Sequence, residues 1–122
     1  MLVIYVAGPY RAESPWETEQ NIRRAETVAN WVWERGHVAL CPHTNARYAS
    51  ALVPDANYLA GTMELMRRCD GVIVLPRWES SEGTCGEIME AGRLEIPVAR
   101  LEMIMQSEVH RAIRCIEAAL KS

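Results

Sequence analysis

Residues 80–87 read SSEGTCGE, a run of small residues that closes on a carboxylate. Three chemistries fit it. Backbone N–H groups around Gly83, at the start of a helix and beside Ser81, would favour an anion such as phosphate. Cys85 would be a thiol nucleophile if a neighbouring base or a lowered pKa activated it. The sequence supplies neither, so Cys85 reads as a small packed residue on the first turn. Glu87 lies about one turn further on, where it could face a pocket, and a carboxylate there can attack an anomeric carbon. Each reading has a plainer counterpart. Ser81 is read equally well as the helix N-cap, and Glu87 as a solvated helix glutamate, the ordinary fate of that residue. Glu90 suits the solvated role better.

Two further segments carry polar residues of the right kind. The segment AGPYR (7–11) offers Gly8, which permits close backbone approach, then Pro9 and Tyr10, then Arg11, a delocalised cation suited to phosphate. A strand-ending turn with a surface arginine explains the same letters. One glycine falls well short of a GxGxxG fingerprint, and no Walker A pattern occurs. In PHTN (42–45), His43 and Asn45 follow a short apolar run, and His43 is a candidate base-contacting or acid/base group.

These segments need elements to hold them. Residues 2–6 (LVIYV) form a continuous apolar run of strand length, apolar on both faces as a central parallel strand would be. Ser14, Pro15 and Glu17 make a helix start, with Ser14 as N-cap and Glu17 closing a capping box. Ile22, Ala25, Ala29 and Val32 then recur at helical spacing until Gly36 stops the helix. Residues 37–41 read as a second strand and 42–54 as a long polar loop. Asp55 reads as the cap of a helix running to about Arg68. Residues 71–76 read as a third strand, followed by a turn and a helix to about Leu94. A fourth strand spans 97–101, and Ser107 caps a last helix with Val109, Ala112, Ile113, Ile116 and Leu120 on one face. Strand and helix alternate throughout, which predicts an α/β domain with a parallel sheet and right-handed crossovers. In such sheets the site lies beyond the carboxyl ends of the strands, and the three polar segments leave those ends.

Bulk properties narrow the classes. The chain has 122 residues, 49% hydrophobic and 24% charged, which suits one domain with a proper core and is short for two. A net charge of −3 without a basic run speaks against a nucleic-acid polymer as partner. No apolar run approaches the roughly 20 residues of a membrane span, and the first residues read as a strand and not a signal peptide. Four separated cysteines, Cys41, Cys69, Cys85 and Cys115, show no metal spacing and read as reduced thiols of a cytoplasmic protein. Trp31 and Trp33 cannot both lie on the core stripe of their helix, which predicts an exposed aromatic patch and self-association.

Taken in order, IYVAGPYR, CPHTNARY and CDGVIVLPRWESSEGTCGE resemble the nucleoside 2-deoxyribosyltransferase-like superfamily, over nearly the whole chain. The most specific piece is an aspartate, an apolar strand and Ser-x-Gly-x-x-x-Glu, here Asp70, Ser81, Gly83 and Glu87. The resemblance implies a single flavodoxin-like or Rossmann-like domain over 1–122. Its sheet would have four to five parallel strands in the order 2-1-3-4, with helices on both faces. It implies a homodimer or higher homo-oligomer, a nucleoside or nucleotide substrate, and no metal or organic cofactor. By position, Glu87 matches the nucleophile that attacks C1′, and Tyr5 the first-strand tyrosine beside it. Gly8 and Arg11 match first-loop residues, the arginine contacting a 5′-phosphate, and Ser81 and Gly83 complete the phosphate site. The chain departs from the pattern at Thr62, where relatives carry a second carboxylate. Asp55, Glu64, Glu79 and His43 are the candidates to replace it.

The reaction implied is cleavage or transfer of the N-glycosidic bond of a 2′-deoxynucleoside 5′-monophosphate. Arg11 and Ser81 favour a phosphorylated substrate and hydrolysis. Thr62 favours a second reading, a nucleotide-binding protein without catalysis. GTCGE also fits part of the cytokinin-activating phosphoribohydrolase motif, whose preceding Pro-Gly-Gly is absent here.

Overall fold

A computed structural model of the chain describes residues 1–45 and 54–122, without the side chains of residues 44, 45 and 55. Strand β1 (Val3–Ala7) leads to helix α1 (Pro15–Glu34), strand β2 (Val38–Leu40) and the one-turn helix α2 (Pro42–Asn45). Then come α3 (Asp55–Arg67), β3 (Gly71–Val74), a 3-10 turn (Trp78–Ser80), α4 (Glu82–Arg93), β4 (Val98–Arg100) and α5 (Gln106–Lys121). The strands form one four-stranded sheet in the order β2-β1-β3-β4, every pair parallel, as the sequence leads one to expect.

Side chains alternate across a strand, so each strand feeds two cores. Ile4, Val6 and Ile73 pack with Ala25, Val28 and Val32 of α1 and with Val109, Ala112, Ile113 and Ile116 of α5. Tyr5, Ala7, Val72 and Val74 face the other way, onto Met66 of α3 and Ala91 of α4. Helices therefore cover both faces, and Tyr5 lies on the α3/α4 side. Gly71 lets α5 come close, since a Cβ there would sit 2.6 Å from Ile116 Cγ2. Asp70 ties the amino ends of β1 and β3 together: its N–H donates to the Val3 carbonyl at 2.8 Å, and its Oδ2 accepts from the Val3 N–H at 2.7 Å.

The helix starts divide into those set locally and those set by packing. Ser14 caps α1 as its sequence predicts, its hydroxyl accepting from the Glu17 N–H. Asp55 is not a cap: Pro54 holds that position and Asp55 is the first helical residue. Ser107 is not one either, because α5 begins at Gln106 with Met105 in extended backbone before it. Leu120 is 45% exposed and lies off the buried stripe, at the last turn of α5. The polar stretch expected to be a loop from residue 42 begins instead as α2, and residues 46–53 lie outside the described residues. Trp31 packs against the α1/α5 core while Trp33 is 54% exposed. Among the described residues, no helix is long and apolar enough to cross a membrane.

Candidate active site

The carboxyl ends of β1, β2 and β3 open into a cleft of about 580 Å³. Its floor is Tyr5, its walls come from 8–11, α2 and one face of α3, and α4 closes it with Ser81, Gly83 and Glu87. All three polar segments singled out above thus reach one cavity. Their convergence follows from the parallel sheet, which delivers every strand exit to the same edge.

Glu87 is 9% exposed and accepts a hydrogen bond at Oε2 from the Tyr5 hydroxyl. Burial pushes its pKa up to about 7, and the Tyr5 hydrogen bond works against that rise. Tyr5 is fully buried, and burial followed by the Glu87 charge raises its pKa far above the ordinary phenol value. The Tyr5 proton therefore stays on oxygen at neutral pH and orients the carboxylate. Glu87 is not the solvated helix residue it might have been. Glu90 is not freely solvated either: it pairs with Arg67 at 2.7 Å and Arg93 at 2.7 Å outside the cleft, which holds its pKa down to about 2.

Ser81 serves as N-cap, its Oγ accepting from the Thr84 N–H at 3.2 Å and from the Thr84 hydroxyl at 2.9 Å. The cap lies inside the cleft, so the local and the functional readings of Ser81 are compatible. The Glu82 and Gly83 amides at the start of α4 have no carbonyl within the helix and sit at the positive end of its dipole, and both residues line the cleft. Arg11 is exposed and lines the same cleft. Gly8 is needed for packing: a Cβ there would lie 2.8 Å from Leu75 Cβ. Cys85 is partly buried, its thiol donating to the Trp78 carbonyl at 3.6 Å, which suits a packed residue.

His43 is 3% exposed and sits at the wall of the cleft. Its Nε2 lies 2.9 Å from the Pro9 carbonyl, which can only accept, so that nitrogen carries the proton. Burial lowers its pKa, and its Nδ1 has no partner among the described residues. Tyr10 meets the His43 ring edge-on at 5.3 Å and stacks on Tyr58 at 5.8 Å. The Tyr58 hydroxyl donates to the Pro42 carbonyl at 3.2 Å, and burial pushes its pKa up to about 12. The Asn45 side chain lies outside the described residues.

Of the candidates for a second acid whose side chains are described, only His43 lies in the cleft. Glu64 pairs with Arg68 at 2.8 Å on the outer surface, and Glu79 is exposed away from the cavity. The Asp55 side chain is not described. Thr62 lines the cleft beside Tyr5, its hydroxyl donating to the Leu59 carbonyl at 3.1 Å. Sequence reasoning missed Tyr58, Met63 and Glu82, which also line the cavity. The i,i+4 spacing of Tyr58 with Thr62 and of Leu59 with Met63 would have marked two adjoining stripes of α3. Among the described residues no cluster of His, Cys, Asp and Glu could hold a metal ion.

The backbone shares its fold with a solved enzyme. A solved 2-deoxyribosyltransferase from the psychrotolerant bacterium Bacillus psychrosaccharolyticus superposes with a TM-score of 0.61 at 20% identity, covering 81% of this chain and 71% of that one. At that identity the likeness concerns the fold. The model of a domain of unknown function, DUF7768, matches residues 2–101, and the chain belongs to that family. No curated protein matches it.

Proposed function

We propose that the protein cleaves the N-glycosidic bond of a 2′-deoxynucleoside 5′-monophosphate, with Glu87 as nucleophile. The observation that carries this reading is a buried glutamate, held by a tyrosine hydroxyl, in a cleft whose lining includes an arginine and a helix start. In the first step a Glu87 carboxylate oxygen bonds to C1′ as the C1′–N bond breaks, and the base takes the electron pair. Water then attacks C1′, and Glu87 leaves as a carboxylate. Arg11 and the amides near Ser81 and Gly83 would hold the phosphate. Gly8, Pro9, Tyr10, His43 and Asn45 would border the sugar and base. Residues 1–122 would act as one domain, and Trp33 would contribute to a homodimer contact, for which light scattering at twice the 13.8 kDa chain mass is the check. Four cysteines outside any disulfide would suit a reducing, cytoplasmic setting.

The test is incubation with a panel of ribo- and deoxyribonucleoside monophosphates, with free base measured by chromatography. Deoxyribonucleotides should release base, and Glu87→Ala should abolish the release. Undiminished release by that variant would refute the mechanism. Preference for ribonucleotides would point to a phosphoribohydrolase. Thr62, a hydroxyl beside Tyr5, supports a second reading in which the cleft binds a nucleotide without turnover. That reading predicts a thermal shift with nucleoside monophosphates and no base released.

A further inference from the structure

Among the described residues, the cleft pairs an attacking carboxylate with no evident proton donor for the group that must leave. Expulsion of a neutral purine generates an anion unless a proton reaches the base, and a positioned acid contributes about 10²- to 10⁴-fold in rate. Glycosidic cleavage through a covalent intermediate ordinarily uses a second carboxyl group for that task. Around Glu87 four of the described donors are already engaged. Tyr5 donates a hydrogen bond to Glu87, Thr62 to the Leu59 carbonyl, Tyr58 to the Pro42 carbonyl and His43 to the Pro9 carbonyl. A guanidinium does not serve as a proton donor near neutral pH. Glu82, the other carboxylate described in the cleft, is exposed, whereas burial and Tyr5 govern Glu87. Residues 46–53 contain no Asp, Glu or His.

A second observation bears on the leaving group. Tyr10 and Tyr58 stack in the cleft at 5.8 Å, with an interplanar angle of 28°. Aromatic faces attract cations, and two carboxylates share the same cavity.

Resting on the function proposed above, we propose that the base departs without a proton from the protein, so that the preferred substrates are deoxynucleotides bearing a cationic, N7-alkylated purine. For such a substrate the C1′–N9 bond breaks toward the base, and its electron pair neutralises the positive ring. The base leaves as a neutral molecule. Glu87 gains the C1′–O bond, water then adds to C1′, one water proton goes to solvent and Glu87 is restored as carboxylate. Alkylation of a purine at N7 is the class of reaction that must supply the substrate.

The experiment compares kcat/KM for 7-methyl-2′-deoxyguanosine 5′-monophosphate and 2′-deoxyguanosine 5′-monophosphate, after subtraction of spontaneous base loss. The methylated substrate should be favoured by about 100-fold or more, the worth of a missing acid. Thr62→Asp should raise turnover of the unmethylated substrate by about tenfold or more without a matching rise on the methylated one. Thr62→Asn, similar in size but not an acid, should give no gain. Values for the two substrates within about threefold in the unmodified protein would mean that the protein supplies a proton. That outcome overturns the inference and leaves the proposed function standing. A Thr62→Asp gain shared equally by both substrates, or absent, also overturns it. Release from neither substrate would remove the proposed function itself, and this inference with it.

Discussion

Replacing Glu87 by Gln should make the protein more stable relative to wild type as pH rises, and the size of the effect follows from burial. The carboxyl titrates near 4.5 in an unfolded chain and at about 7 in the fold. Each pH unit of separation is worth about 1.4 kcal/mol. The folded state therefore binds the extra proton between those two values, and by linkage wild-type stability falls across that window. Below pH 4.5 the contribution is fully present, and by pH 7 about 3 kcal/mol has been lost. Gln is neutral throughout and keeps an oxygen to accept from Tyr5, so the variant escapes that loss. Urea unfolding of both proteins at pH 5 and pH 8 reads the difference, which should move by about 2.5 kcal/mol in favour of Glu87→Gln. In thermal melts the same change corresponds to roughly 10 °C for a domain of this size. Stability curves that stay parallel from pH 5 to pH 8 would refute the reasoning. They would mean that Glu87 is solvated and titrates as an ordinary carboxylate.

Three other perturbations report on the same arrangement. Tyr5→Phe removes the hydrogen bond that holds the Glu87 pKa down, so the rising limb of a pH–activity profile should move to higher pH. A drop in activity without a shift would assign Tyr5 to packing. Glu82→Gln removes a negative charge beside the suggested phosphate seat, and the KM for a nucleoside monophosphate should fall by about two- to fivefold at low salt. No change for the unphosphorylated nucleoside is the matching control. Gly71→Ala places a methyl group 2.6 Å from Ile116 Cγ2 and should cost about 1–3 kcal/mol by chemical denaturation.

What could be read from the sequence was whatever short-range chemistry decides. The β-branched runs become strands because they are apolar on both faces, and Ser14 with Pro15 starts α1 through bonds three residues long. From strand and helix order alone the parallel sheet follows, and with it the meeting of three polar segments at one edge. The start of α5 was not legible, because Ser107 is as good a cap by type as Ser14. Leu101 and the partly buried Ile104 pack into the core just before α5, and Met105 stands extended at the cap position. The α3 wall of the cleft was hidden for a related reason. Tyr58, Thr62 and Met63 face Glu87 and Gly83 only once α3 and α4 pack side by side, a contact between residues more than twenty positions apart. Thr62 came to notice as a departure from a pattern; its place beside Tyr5 is a fact of the fold.

Asp70 shows how a residue remote from the cleft bears on it. It sits at the amino end of β3, exposed, whereas the cleft opens at the carboxyl end. Yet it closes both hydrogen bonds on Val3, and the pairing of Ile4 with Gly71 and of Tyr5 with Val72 follows directly. A slip of one residue in that register would turn every β1 side chain to the opposite face. Tyr5 would then enter the α1/α5 core, and Glu87 would lose its hydrogen-bond donor. The aspartate that opens the third strand and the glutamate that closes SSEGTCGE are thus two parts of one arrangement, one setting the height of Tyr5 and the other meeting it.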